Sequence, residues 1–255
     1  MNKPDIIFIH GMFSTGSVWQ AWQQYFTDAG YTCHNPTLPG HNVDTSSQEI
    51  NGKSFDDYSQ FLSEYISRFT KPILIGHSMG GLLAQKLAQH HSLSAAILIN
   101  SAAPGHIFPI RLQMLPGLIR HFFRWRLWRS RFSLSEGEAN YLLFNKLSPT
   151  DKLTLFNKLV PESGRILFEL GLGKLNVSKN NRIDKTLINC PVMFYASVED
   201  NIIPISVSRK MAKWYGGKLD YLEWPINGHW LLGEQNWQQV IEGVELWLET
   251  KQLRS

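Results

Sequence analysis

Ser78 stands between Gly76 and Gly80 in the run Ile73-Leu74-Ile75-Gly76-His77-Ser78-Met79-Gly80-Gly81, a pattern suited to a serine nucleophile. A serine hydroxyl attacks carbonyls poorly unless a sharp strand-to-helix turn lifts it clear and offers it to a base. Side chains two residues to either side would collide across such a turn, and glycine removes the collision. The string alone is weak, since it arises by chance in roughly one chain of this length in ten. Its setting carries the weight. Pro72-Ile73-Leu74-Ile75 reads as a short buried strand, and Leu82 to Ala88 as a helix of good helix formers.

A nucleophilic serine needs a general base, and imidazole is the side chain whose ordinary pKa lies near neutrality. Of nine histidines, His229 is the strongest candidate, because Trp224-Pro225-Ile226-Asn227-Gly228-His229-Trp230 forms a loop just beyond the last expected strand. His10 and His77 belong to the turns around the site. His90, His91 and His121 read as solvated. The imidazole in turn needs an acceptor to fix its tautomer. Asp200 follows the expected strand Val192–Ala196 and emerges at the same sheet edge, with Glu199 as runner-up. No carboxylate follows the strand Ala95–Ile99, where Asn100-Ser101-Ala102-Ala103 stands instead.

Acyl transfer also builds up an oxyanion, which backbone N–H groups stabilise when aimed at it in advance. One donor is expected from the Met79 amide, directly after Ser78. The second is expected from the loop His10-Gly11-Met12-Phe13-Ser14-Thr15-Gly16, with the Met12 amide favoured and Phe13 as the alternative. Phe13 and Trp19 near this loop, and Trp230 beside His229, are the expected substrate-binding side chains.

The elements that must position these groups are apolar runs at Ile6–Ile9, Tyr31–His34, Ile73–Ile75, Ala95–Ile99, Val192–Ala196 and Leu219–Leu222. Helical patterns alternate with them near Val18–Ala29, Phe55–Phe69, Leu82–His90, Ser206–Tyr215 and Trp237–Glu249. Such alternation predicts a parallel sheet covered on both faces, with ligands at the carboxyl ends of its strands. The alternation breaks between about Pro104 and Lys185, where no clear strand is visible and Leu115-Pro116-Gly117 and Ser148-Pro149-Thr150 divide helical segments. We read residues 1–103 and 186–255 as the core domain and 104–185 as a helical insertion after the sixth strand.

At 255 residues, 43% hydrophobic and 18% charged, the chain describes a soluble globular protein with one large core. The start Met1-Asn2-Lys3-Pro4-Asp5-Ile6-Ile7-Phe8-Ile9 is too short for a signal-peptide core, which makes the cytoplasm the default location. Cys33 and Cys190 are far apart, lack metal-ligand spacing and read as buried free thiols. The net charge of +4 is uneven: no Asp or Glu occurs from Tyr65 to Ser135, and Arg111, Arg120, Arg124, Arg126, Arg129 and Arg131 fall in one segment.

Together these residues resemble the α/β-hydrolase superfamily. The match comprises His10-Gly11, Pro39-Gly40-His41, Gly76-His77-Ser78-Met79-Gly80-Gly81, Asp200 and Gly228-His229, in the chain order Ser, Asp, His. It spans all but the insertion. The resemblance implies a mostly parallel twisted sheet flanked by helices on both faces, a helical cap, and a serine hydrolase that needs neither metal nor cofactor and passes through an acyl-enzyme. Leu38-Pro39-Gly40-His41-Asn42 departs from the family's common Arg-Gly-His-Gly form, so the subfamily stays open.

On a helical wheel for Pro116–Phe132, Leu118, Phe122, Trp125 and Phe132 gather on one side and Arg120, Arg124 and Arg131 on another. Such a segment suits contact with an anionic lipid surface, or attraction of a substrate with a negative group such as a phosphate or the nucleotide part of an acyl-CoA. The plain alternative packs the apolar side on the core and leaves the arginines solvated. The expected partner is a small-molecule ester or acyl substrate, with an apolar pocket for a medium or long acyl chain; no nucleic-acid partner is expected, and the oligomeric state is open. The preferred reaction is hydrolysis of a carboxylic ester. A thioesterase, a monoacylglycerol lipase, or a binding protein that keeps the triad without turnover are the alternatives, since fold and triad are common to many chemistries.

Overall fold

A computed structural model of the chain describes residues 3–42 and 48–251. In chain order its elements are β1 (Ile6–Ile9), α1 (Gln20–Asp28), β2 (Cys33–His34), α2 (Phe55–Ile66), β3 (Ile73–His77), α3 (Met79–Ala88), β4 (Ala95–Ile99), α4 (Leu115–Phe122), β5 (Arg131–Phe132), α5 (Glu136–Leu142), α6 (Pro149–Phe156), β6 (Glu162–Ser163), α7 (Gly164–Gly171), β7 (Val192–Ser197), α8 (Ile205–Tyr215), β8 (Asp220–Trp224) and α9 (Trp237–Thr250).

Six of the strands form one sheet in the order β2-β1-β3-β4-β7-β8, every pair parallel. Both faces are covered, which is why β1, β3, β4 and β7 are unbroken apolar runs rather than alternating ones. Ile7, Ile9, Leu74 and Leu98 meet α2, α3 and α8 on one face. Ile6, Phe8, Ile75 and Ile97 meet α1 and α9 on the other. The chain winds outward in both directions from the neighbours β1 and β3, and the crevice beyond the carboxyl ends of two such strands is where open α/β sheets bind ligands.

Between β4 and β7 the chain leaves the sheet and builds α4 to α7. Counted along this chain, four strands of the sheet precede that excursion and two follow it, so the expected sixth-strand position corresponds to the fourth strand here. The excursion also holds a feature the sequence did not suggest, a two-stranded antiparallel ribbon of β5 and β6. Its apolar centre comprises Leu118, Phe132, Leu142 and Leu167, with Phe13 and Trp230 of the core packed into the same cluster. Both cysteines are free, as expected, but each is only half-buried.

Candidate active site

The turn from β3 to α3 places Ser78 at the crevice with φ 55° and ψ −121°, a region an L-residue enters only when its surroundings enforce it. Three backbone hydrogen bonds do so: the Ser78 amide donates to Ile99 O at 3.0 Å, and its carbonyl accepts from the amides of Gly81 at 3.0 Å and Ala102 at 2.9 Å. The flanking glycines are required by contact. A Cβ on Gly76 would lie 2.2 Å from the Gly80 carbonyl oxygen, and one on Gly80 would lie 2.1 Å from Ile9 O.

Asp200 and His229 meet directly, with Nδ1 of the imidazole 2.7 Å from Oδ2 of the carboxylate and both side chains almost wholly buried. A carboxylate accepts only, so Nδ1 carries the hydrogen and Nε2 keeps a free lone pair. Oδ1 of Asp200 accepts the amides of Ile202 and Ile203 at 2.8 Å each, which locks the carboxylate in place. Glu199, the runner-up, faces outward and pairs with Lys146. The His229 loop lies against the nucleophile turn: Nε2 of His77 donates to His229 O at 2.9 Å, and the two rings are 4.7 Å apart. Burial, then the neighbouring His229, pushes the His77 pKa well below its ordinary value. The neutral ring serves as a spacer.

The loop after β1 presses on Ser78 from the other side, since a Cβ on Gly11 would lie 2.9 Å from Ser78 Cβ. His10 stiffens this loop. Its Nε2 accepts the Leu38 amide at 3.0 Å, so Nδ1 bears the hydrogen and donates to Gly11 O at 2.8 Å. Burial, reinforced by His41, lowers its pKa to about 3. Phe13 takes φ 60° and its carbonyl accepts the Val160 amide at 3.0 Å. Met79 opens α3, where a helix leaves its first amides without intrahelical acceptors.

Met12, Phe13, Ser78 and Met79 line one cleft, walled by Met114 and Leu118 from the α4 side, Phe132 of β5, Leu167 and Leu170 of α7, and Ile202 and Ile203 behind Asp200. Among the described residues that line it, Ser78 is the one polar side chain. The space open to the centres of water-sized atoms is about 60 Å³, room for a few waters.

Two expected substrate-binding residues lie elsewhere. Trp19 is fully buried in the cluster between the sheet and α1 and α9, stacked on Phe8 at 5.0 Å; closeness in sequence to the oxyanion loop misleads because the 3₁₀ turn Gly16–Trp19 already belongs to that face. Trp230 packs edge-on against Phe144 at 5.3 Å and His77 at 5.7 Å, and borders a separate cleft with Leu155 and Val160. Phe13 alone of the three lines the Ser78 cleft.

Comparison with known proteins adds the family. The model of the Alpha/beta hydrolase family matches residues 6–242. The chain belongs to the alpha/beta hydrolase family. A pyrethroid hydrolase of Sphingobium wenxiniae is 25% identical over 243 residues, covering 89% of this chain and 82% of that protein. A thermostable monoacylglycerol lipase of a Bacillus species is 26% identical over 206 residues, covering 78% of this chain and 71% of that one. Among solved structures, the Paleococcus ferrophilus monoacylglycerol lipase has the same fold, with a TM-score of 0.74 at 17% identity over 98% of this chain and 97% of that chain.

Within this alpha/beta hydrolase, several groups that support the site escaped the sequence reading. Glu234, buried beside the His229 loop, accepts the Gly228 amide at 2.7 Å, the Trp230 amide at 3.2 Å and Asn227 Nδ2 at 3.2 Å. Burial raises its pKa against the pull of those donors. Asn100, at φ 44°, has Nδ2 3.0 Å from the carbonyls of Gly228 and His229 while Oδ1 accepts the Ser197 amide at 2.7 Å, so it joins the ends of β4 and β7 to the histidine loop. His41, from the Pro39-Gly40-His41 loop, holds Glu162 of β6 at 3.0 Å with both side chains wholly buried, and Tyr58 donates to the same carboxylate at 2.8 Å. Burial alone would lower the His41 pKa, but the Glu162 carboxylate outweighs it and raises the value.

The hydrolase's basic segment also departs from its single-helix expectation. α4 ends at Phe122, and Arg126 in the left-handed region at φ 54° turns the chain toward a 3₁₀ turn and β5. Leu118 and Phe132 are buried while Trp125 is 87% exposed, so these three do not share one face; the side chain of Phe122 lies outside the described ones. Arg120 is held by Glu138. His121, expected in solvent, is 1% exposed and packs on Phe132.

Proposed function

We propose that this alpha/beta hydrolase cleaves carboxylic esters of apolar acids by way of an acyl-enzyme. Nε2 of His229 takes the proton from Ser78 as its Oγ bonds to the acyl carbon. The amides of Met12 and Met79 receive the resulting oxyanion. The imidazolium, oriented by Asp200, then protonates the leaving alkoxide as the C–O bond breaks and the alcohol departs. Water attacks the acyl-enzyme with His229 again accepting the proton, and collapse of the second intermediate returns that proton to Ser78 and frees the acid. Residues 104–185 act as the cap that excludes water from this cleft.

The observation that carries the reading is a strained serine in an otherwise apolar cleft, with the imidazole whose tautomer Asp200 sets carried on a loop hydrogen-bonded to the adjacent His77. The cleft's lining, apolar apart from Ser78, favours an acyl chain, and Met12, Met79 and Met114 in that lining accommodate chains of different length. A monoacylglycerol is the second reading, favoured by the same cleft and by the similarity to the Bacillus lipase.

The test is a series of p-nitrophenyl esters of rising chain length, with fluorophosphonate labelling as the control. We expect kcat/KM to rise beyond acetate and labelling to vanish in Ser78→Ala. Labelling without turnover of any ester or thioester would instead mark a binding protein, and a rate that falls steadily beyond acetate would reject the apolar acyl group.

A further inference from the structure

We infer that the turn between α4 and β5 docks on an anionic lipid surface. Phe123 is 83% exposed and Trp125 87%, and Leu112 at the start of the same segment is 84% exposed. Side chains of this size seldom stand uncovered together on a soluble protein without a partner. Between and beyond them lie Arg124, Arg126, Arg129 and Arg131, all exposed, and no ion pair among the described residues engages any of the four. Among the described residues, the one acid paired with a side chain of this segment is Glu138, which is taken by Arg120 and His121. The turn therefore presents unneutralised guanidinium groups interleaved with aromatic rings.

That combination matches the boundary of an anionic bilayer, where guanidinium groups pair with phosphates and indole rings settle at headgroup level. An acidic protein would satisfy the arginines, but it must also offer a fitted cavity to each projecting ring. A fluid lipid layer closes around such rings without one. No helix among the described residues is long and apolar enough to cross a membrane, so the contact is peripheral. Its place in the fold gives it a use: the same segment supplies Met114 and Leu118 to the cleft above Ser78, so docking would turn that cleft toward lipid-borne esters. This use, though not the docking itself, rests on the hydrolase reading.

Sedimentation of the full chain with phosphatidylcholine vesicles, with and without phosphatidylserine, tests it at low and high salt. The parent is expected to bind the phosphatidylserine vesicles and to release them as salt rises. Arg124→Ala and Arg126→Ala should each weaken binding by roughly fivefold, and Phe123→Ala with Trp125→Ala should remove most of what remains at high salt. Ser78→Ala should bind as the parent does, which separates docking from catalysis. Turnover of a soluble short-chain ester should be unchanged in the surface variants and so report their folding. Failure to bind at low salt, or arginine variants that bind as well as the parent, would overturn the proposal. Retention on immobilised polyglutamate without binding to vesicles would do so too, by assigning the surface to an acidic protein.

Discussion

Glu234 braces His229 from beneath, accepting the amides of Gly228 at 2.7 Å and Trp230 at 3.2 Å, the residues on either side of the imidazole. The imidazole's position relative to Ser78 thus depends on a carboxylate that touches neither. Glu234→Gln keeps the volume but leaves only one oxygen for donors that now use two. We expect kcat to fall by about 10- to 100-fold with KM little changed, the scale of loss that follows a misplacement near 1 Å. Steady-state kinetics on a p-nitrophenyl ester, with the melting temperature as folding control, would check it; a KM effect alone would assign Glu234 to the substrate pocket.

Asp200→Asn should leave the fold intact and lower kcat by about 10⁴-fold, because the amide permits the imidazole to present the wrong nitrogen to Ser78. Fluorophosphonate labelling should slow in parallel. The same change at Glu199, which points outward to Lys146, should leave the rate within twofold of the parent. A large loss there would place the orienting acid at the wrong residue.

Leu118 walls the cleft from the α4 side. Leu118→Trp should fill much of a cleft this small and displace long acyl chains first. Since each methylene excluded from an apolar pocket costs about 1–3 kcal/mol in discrimination, activity on an octanoate ester should fall by roughly tenfold or more while acetate is turned over nearly as before. Equal losses on both esters would mean that the cleft is not where the chain lies.

His41 and Glu162 form a wholly buried pair between core and insertion. Removing one partner of such a pair costs about 3–5 kcal/mol because the other charge is stranded, so His41→Ala should lower the unfolding free energy in urea by that amount near pH 6. The His41 pKa is raised in the folded state. Its contribution is therefore complete below the ordinary histidine value and is lost as pH climbs through the raised one. The gap between parent and variant should narrow on the alkaline side; a gap that widens there would reverse the sign of the interaction.

The parallel sheet was legible because β1, β3, β4 and β7 are covered on both faces, which forces apolar runs that no loop resembles. Ser78 and Asp200 were legible as candidates because each follows such a run, whereas His229 follows β8, an edge strand carrying Asp220 and Glu223, and was marked by its Gly- and Pro-containing loop instead. Glu162 was not, since its partner His41 lies 121 residues away and nothing local marks an acid that will be buried by the fold. Glu234 was hidden differently: it is six residues from Gly228, yet its task is set by backbone amides, which leave no trace in side-chain identity. β5 and β6 have two residues each, too few to show alternation. The wheel over Pro116–Phe132 failed at Arg126, whose left-handed turn breaks the helix with no glycine to announce it.

The insertion is tied down at one end by two acids. Glu162 is held by His41 and Tyr58, and Glu169 of α7 accepts the Phe55 amide at 2.7 Å where α2 begins. Lifting β6 and α7 away from the core would break these three hydrogen bonds to carboxylates, each worth about 1.5–3 kcal/mol. The other end is tied as well: Gln113 Nε2 donates to Asp200 O at 2.9 Å, Asn145 Nδ2 to Glu199 O at 2.8 Å, and Asn201 Nδ2 to Tyr141 O at 2.8 Å. The α4 wall of the cleft is thereby coupled to the loop that carries Asp200, so a disturbance at the arginine and aromatic tip has a bonded route to the carboxylate that holds His229.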